Sequence, residues 1–253
     1  MFRQKHLSPA SFFVFEELEG IPGFVHAFTS RQTDAPNQER KPSDEVTPQK
    51  KLLLETLGLQ PHQLFFLNQV HSNRVVTVDP GPSKPSGPTS LGPADGVITL
   101  LPAQFPVIRT ADCLPIFVLL AEKKQVCVLH AGWSGTRDRI TQEGVSRFLE
   151  LTQGSPQQLI AAIGPCIRKC CYQVGPEVRN EYARSGHDVD RFFSDRQLDL
   201  VEANVAQLQE AGVTRILDSK MCTACRTDLF YSYRREGETG RMWLLAGFSP
   251  DNS

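Results

Sequence analysis

Apolar residues along this chain gather in short runs bounded by polar or turn-forming stretches, not in long periodic stripes. Ten of these runs predict β-strands. They are SFFVF from Ser11, GFVHAF from Gly23, QLFFLNQVH from Gln63, RVVTVD from Arg74, GVIT from Gly96, LPIFVLL from Leu114, QVCVLHAGW from Gln125, LIAAIG from Leu159, RILD from Arg215 and RMWLLAGF from Arg241. Helical signals are fewer. TPQKKLLLETLG offers Thr47 as N-cap, Pro48 in the first turn and Gly58 as terminator. A second helix is expected from about Thr136 to Leu151 with Ile140, Phe148 and Leu151 on one side, and PEVRNEYARSG from Pro176 is a shorter candidate. LDLVEANVAQLQEAG carries a stripe of Leu198, Val201, Val205 and Leu208 and ends at Gly212. Strands interleaved with helices and no break between two cores predict an α+β (mixed α/β) single domain over 1–253, with layered mixed sheets flanked by helices. Residues 32–46 read as a flexible polar segment. Residues 80–94, PGPSKPSGPTSLGPA, read as a Pro-rich surface loop, either an insertion or a lid.

The candidate chemistry sits where strands meet polar residues. RTADCLPIFVLL puts Cys113 between a polar run and a run built to be buried. LPIFVLL and QVCVLHAGW are separated only by AEKK, which predicts a hairpin pairing Leu120 with Gln125 and Pro115 with His130. Side chains alternate with period two, so Cys113 and His130 would share a face, diagonal neighbours about 7–8 Å apart at Cα. One residue more or less in the turn would separate them. His71, in NQVHSNR, also ends a strand run. Two imidazoles and one thiolate are a set found at catalytic zinc sites that keep a fourth position open. The alternative is a core thiol and two ordinary polar histidines; His6, His26, His62 and His187 lack such a setting and are taken as structural. After His130, AGWSGTRDRI turns through Gly132 and Gly135 into a helix whose N–H groups would suit phosphate, with charge from Arg137 and, across the hairpin, Arg109.

Charge and composition remove other classes. A net charge of −1 gives no footprint for nucleic acid. No apolar run approaches the roughly 18 residues needed to span a membrane. Acids interrupt the apolar patch near the N-terminus, so no signal-peptide profile is read and a cytoplasmic location is expected. Seven cysteines, an odd number, fit reduced thiols there. Cys166, Cys170 and Cys171 in GPCIRKCCYQVG and Cys222 and Cys225 in CTAC would suit a structural zinc by one pair from each, but the first spacing is not that of a zinc ribbon. Buried free thiols are the expectation, with Cys127 as plain core.

NQVHSNRVV, ADGVIT, TADCLPIFV, VCVLHAGWSGT, AAIGPCIRKCCYQVGPEV and DLFYSYRREGETGR resemble, in this order, the YfiH/YlmD family. That family carries the labels laccase-domain multicopper polyphenol oxidoreductase, purine nucleoside phosphorylase and peptidoglycan editing factor. The resemblance covers roughly residues 22–248 and implies a fold similar to that of cysteine-hydrolase-like toxins. It implies a metal centre, zinc with copper as the alternative, on the catalytic residues His71, Cys113 and His130. It further implies phosphorolysis of adenosine, inosine and S-methyl-5'-thioadenosine to free base and a ribose 1-phosphate, and deamination of adenosine. The substrate and phosphate candidates are Arg31, Gln69, Arg109, Asp112, Gly132, Trp133 and Arg137. Purine nucleosides and phosphate would be the partners, with no nucleic acid or membrane, on a monomer or weak homodimer. The family's SRxGG stretch is reduced here to Ser30 and Arg31 without the glycines. Other readings stay open. They are a metal-free hydrolase with Cys113 as nucleophile and His130 as base, and editing of amino-acid-substituted UDP-MurNAc precursors through the loop 80–94 or the Arg-rich SYRREGETGR. Copper-dependent phenol oxidation ranks last, because six histidines are too few for a laccase cluster, and a non-catalytic binding role leaves an open metal site unexplained.

Overall fold

In the computed structural model, which describes residues 1–8, 10–33, 46–78 and 87–250, the predicted apolar runs all become strands. In chain order the strands are β1 (Phe2–Leu7), β2 (Ala10–Phe15), β3 (Phe24–Thr29), β4 (Leu64–Asn68), β5 (Val75–Thr77), β6 (Thr89–Pro93), β7 (Gly96–Thr99) and β8 (Phe105–Thr110). They continue as β9 (Leu114–Leu120), β10 (Gln125–Ala131), β11 (Ile160–Ile163), β12 (Phe193–Ser194), β13 (Gln197–Leu198), β14 (Arg215–Asp218) and β15 (Met242–Phe248). The helices are α1 (Pro48–Thr56), α2 (Trp133–Arg137), α3 (Ile140–Thr152), α4 (Pro176–Arg184), α5 (Val189–Phe192), α6 (Leu200–Glu210) and α7 (Tyr233–Glu236).

Two mixed sheets stack face to face. One has the order β1-β2-β3-β15-β8-β4-β6, the other β14-β11-β9-β10-β7-β5, and β12-β13 forms a small ribbon. The layer between them is aromatic, with Phe13, Phe15, Phe28 and Phe248 from the first sheet meeting Phe117, Leu119, Val126 and Val128 from the second. The outer face of the first sheet buries Phe66, Val107 and Trp243 beneath Leu53 and Leu54 of α1. The outer face of the second buries Ile116, Val118, Cys127 and Leu129 beneath α3 and α6. The result is a four-layer mixed α/β arrangement. It explains why LPIFVLL is apolar at every position: alternate side chains face the inter-sheet layer and the helices.

Local signals account for most elements. The Thr47 side chain accepts from the Lys50 N–H at 3.2 Å, capping α1. AEKK closes its turn with Lys124 in the left-handed region, φ 54°, where a glycine is usual. The pairing is Gln125 with Leu120 and His130 with Pro115, as the turn length predicts.

Several expectations need correction. The helix expected over 136–151 is two helices, α2 and α3, broken where Arg139 adopts φ 62°, and Leu151 is exposed beside buried Ile140 and Phe148. In the α6 stripe, Leu198 belongs to β13 and Val205 is only half-buried; Asn204 and Gln207 fill that face instead, bonded to Thr136. Within the Pro-rich loop 80–94, Thr89–Pro93 forms β6, an edge strand parallel to β4, where Pro93 and the left-handed Gly92 are tolerated because no further strand among the described residues pairs there. Residues 80–86 of that loop and 34–45 of the polar segment 32–46 lie outside the described residues. FRQKHL and FPVIRT, not anticipated as strands, form β1 and β8. Among the described residues no helix is long and apolar enough to cross a membrane.

Candidate active site

The chain passes from the first sheet to the second three times at the same rim. β4 leads to β5 through His71, β6 leads to β7 through Asp95, and β8 leads to β9 through Cys113. β10 returns to that rim and ends at His130 and Ala131. Two of these crossovers and one strand end thus deliver the predicted triad to one rim, and the third crossover brings Asp95 beside it. Ligand atoms of His71, Cys113 and His130 lie within 4.8 Å of one another, with Cys113 Sγ 3.8 Å from His71 Nε2. In a tetrahedral site with metal–sulfur near 2.3 Å and metal–nitrogen near 2.0–2.1 Å, a sulfur and a nitrogen stand about 3.5 Å apart, so this donor set fits one ion. Gly132 leaves the space: a Cβ there would lie 2.9 Å from His71 Cδ2 and 3.2 Å from Cys113 Sγ.

Asp95, quoted above within ADGVIT but given no role, organises the site. Its Oδ1 accepts from the His71 N–H at 3.0 Å and from His130 Nδ1 at 2.8 Å. Its Oδ2 accepts from the Ser72 N–H and Oγ, both at 2.7 Å. These bonds hold His71 at φ 60°, a left-handed position that a β-branched residue would resist. Burial alone would raise the Asp95 carboxyl, but the bonds from His130 and Ser72 keep it below its usual value. Because a carboxylate only accepts, His130 carries its proton on Nδ1 and turns Nε2 towards Cys113. Burial pushes the Cys113 thiol up, yet the His130 charge and the bonds from both imidazoles outweigh it and bring the thiol to about 6. His130 behaves conversely: burial lowers it, and the Cys113 thiolate with Asp95 raises it to about 9. Each group thus favours the charged form of the other, a thiolate beside an imidazolium.

Asp112 stands at φ 97°, outside the usual range for a side-chain-bearing residue. Its carboxylate is fully engaged: Thr223 Oγ1 donates to Oδ1 at 2.5 Å, and Ser232 Oγ and the Arg234 N–H donate to Oδ2 at 3.0 and 2.7 Å. It fixes the backbone just before Cys113 and ties it to α7.

Above the triad opens a cavity of about 670 Å³ lined by Gln69, Arg109, Trp133, Tyr172, Arg234 and Arg241, among others. Gln69 is spent on backbone, its amide bonded both ways to Arg109 at 2.9 Å. Two predicted phosphate arginines do not reach the cavity. Arg137 is paired with Asp138 and Glu181, and Arg31 with Glu236. Gly132 serves as the cleft beside the ligands, and α2 after it runs only five residues. The cavity takes its charge instead from Arg109, Arg234 and Arg241, the last two from SYRREGETGR, and burial pulls Arg241 below the ordinary guanidinium value. The Arg234 guanidinium lies 5.3 Å over the Tyr172 ring. Arg234 comes from α7 and Arg241 from the residue before β15, and both line the cavity with Cys113.

A family model described as multi-copper polyphenol oxidoreductase laccase matches residues 29–249. This chain belongs to the YfiH/YlmD, or laccase-domain, family. A relative from Haemophilus influenzae named purine nucleoside phosphorylase is 32% identical over 246 residues, covering 90% of this chain and 96% of its own. Purine nucleoside phosphorylase YfiH of Escherichia coli is 31% identical, covering 80% of this chain and 82% of its own. The crystal structure of the hypothetical protein YfiH from Bacillus licheniformis matches with a TM-score of 0.85 at 27% identity, over 98% of this chain and 99% of that one. YlmD from Geobacillus stearothermophilus matches with a TM-score of 0.81 at 26% identity, over the same shares. The several-histidine cluster of a multi-copper oxidase has no counterpart among the described residues. His26 is enclosed by Phe15, Phe24 and Phe117, and His187 bonds the Arg137 carbonyl at 2.6 Å.

Proposed function

We propose that this protein is a cytoplasmic, zinc-dependent purine nucleoside phosphorylase acting on adenosine, inosine and S-methyl-5'-thioadenosine, with adenosine deaminase activity at the same site. The observation that carries this reading is a His/Cys/His donor set at the floor of a cavity walled by arginines and aromatic rings. The names of the relatives agree with it. His71, Cys113 and His130 would hold the metal, with copper as the alternative ion. When bound, the ion supplies Lewis acidity towards substrate or water. Asp95 orients His130. Arg109, Arg234 and Arg241 receive inorganic phosphate, and Trp133, Tyr172 and Tyr233 offer faces for the purine. Phosphorolysis forms a bond from a phosphate oxygen to the anomeric carbon as the glycosidic bond breaks. The purine leaves with that electron pair and takes up a proton.

The test is a product assay with adenosine and phosphate on wild type and Cys113→Ala, with metal content measured alongside. Loss of base release and deamination in a folded variant, together with loss of one metal equivalent, is the expected result. Unchanged turnover rejects the reading.

A second reading rests on the Asp95–His130–Cys113 chain, which is also the geometry of an activated cysteine nucleophile. Purified protein without zinc, in which an alkylating reagent titrates Cys113 stoichiometrically, would favour that hydrolase.

A further inference from the structure

Away from the cavity floor, four more thiols converge. The buried-thiol expectation holds for Cys127, Cys166 and Cys222 but fails for the others: Cys170 and Cys225 are exposed and Cys171 is half-buried. The Sγ atoms of Cys170, Cys171, Cys222 and Cys225 lie within 4.8 Å of one another. Cys225 is 3.4 Å from Cys171 and 3.8 Å from Cys170. Backbone bonds lace the two segments that supply them. Cys166 and Cys222 form a parallel bridge in which the Thr223 N–H donates to the Cys166 carbonyl at 2.9 Å. The Cys171 N–H donates to the Arg168 carbonyl at 2.9 Å, closing the turn that brings Cys170 and Cys171 round.

We infer that these four cysteines form a second metal site, a structural tetrathiolate centre for one thiophilic divalent cation, zinc by its chemistry. Four sulfurs about a zinc at about 2.3 Å stand about 3.8 Å apart, close to the separations here. A disulfide brings two sulfurs to about 2.05 Å, which neither 3.4 nor 3.8 Å approaches. Four donors of one soft type in a closed set mark a structural site, whereas the His/Cys/His set leaves a position open. Cys222 and Cys225 have the two-residue separation of a zinc knuckle, and the Cys222 Sγ accepts from the Arg168 N–H at 3.5 Å, a donor suited to a thiolate. The sequence hid the site because its other half is a vicinal pair, Cys170 and Cys171, with no knuckle spacing.

Position gives the site a task. Tyr172, directly after Cys171, lines the cavity, and Thr223, between Cys222 and Cys225, donates to Asp112. Arg235 Nη1 donates to the Thr223 and Ala224 carbonyls, both at 2.9 Å, within the knuckle. An ion here would tie the segment after β11 to the segment after β14 and brace the cavity wall. This site stands whether or not the chain is a phosphorylase.

The experiment is metal analysis of the full chain, purified reduced from zinc-supplemented cells. Two zinc equivalents per chain are expected for wild type, and half that content for Cys222→Ser/Cys225→Ser. Should that variant fail to fold, His71→Ala/Cys113→Ala serves, because it leaves all four thiols in place. It should bind one equivalent of cobalt(II) with the intense sulfur-to-metal charge-transfer absorption of a four-thiolate tetrahedral centre, and a chelator should free four thiols towards a disulfide reagent. A His71→Ala/Cys113→Ala protein that takes up no cobalt, or that shows the mass deficit of disulfides among these cysteines, overturns the inference.

Discussion

A carboxylate accepts hydrogen bonds and donates none, so Asp95 decides which nitrogen of His130 bears the proton and which faces Cys113. The same carboxylate takes N–H groups from the His71 and Ser72 backbone, coupling two of the three triad residues through one side chain. Asp95→Asn replaces one acceptor oxygen with a donor and sets it against N–H groups already pointing inwards. The expected outcome is metal affinity lower by about 10- to 100-fold, read by chelator competition in a variant that circular dichroism shows to be folded. Equal affinity would mean that Asp95 does not orient the imidazole. His26 makes the opposite use of burial. Its Nε2 accepts from the Phe15 N–H at 2.8 Å, and burial lowers it from 6.5 to about 4, with Glu19 pulling the other way. The unfolded chain therefore takes up this proton first as pH falls, so the contribution is complete above the unfolded value and is lost between about 6.5 and 4. That difference corresponds to about 3 kcal/mol. His26→Gln, which does not titrate, should lose about 2 kcal/mol less than wild type between about pH 7 and pH 4.5 in urea titrations. Parallel losses would show that His26 is not the group responsible.

The elements divide by whether their evidence is local. The β9–β10 pairing was legible because AEKK fixes the parity of the hairpin, and parity alone decides that Cys113 and His130 share a face. Capping of α1 was legible because Thr47, Pro48 and Gly58 are each local signals. FPVIRT was not, since Pro106 interrupts a run whose partners, β4 and β15, lie far along the chain. Nor could β6 be read, because its pairing with β4 overrides turn-forming composition. The crossovers that gather His71, Asp95 and Cys113 are connections from one sheet to the other, and no periodicity within a segment records them. Arg31 and Arg137 missed the cavity for an electrostatic reason. Each is neutralised by an acid, and only Asp138, next in sequence to Arg137, gave a local warning. The vicinal cysteines show the same limit: their partners stand about fifty residues later.

The whole molecule is held by a layer that belongs to neither sheet alone. Phe13, Phe15, Phe28 and Phe248 from one side and Phe117 from the other are buried in the same aromatic interior, with Phe28 and Phe117 ring centres 6.0 Å apart. Releasing either sheet would expose the inner face of both, at a hydrophobic cost of about 25 cal/mol per Å² of apolar surface. The site adds a second constraint, since His71, Asp95 and Cys113 lie on loops that run from one sheet into the other and meet His130 at the end of β10. The chain should therefore unfold as one domain, and its two tryptophans can report this separately. Trp243, on β15, is packed under α1 in the outer layer of the first sheet. Trp133, on α2, lies at the cavity on the side of the second, its carbonyl accepting from Tyr182 Oη at 2.9 Å. In Trp133→Phe only Trp243 fluoresces, and in Trp243→Phe only Trp133 does. After each curve is referenced to the circular dichroism midpoint of the same variant, the two denaturant midpoints should coincide with it. A Trp133 transition that precedes loss of strand signal would mean that the cavity wall melts first and the sheets hold without it; a Trp243 transition standing apart would mean that the first sheet and α1 form a unit of their own.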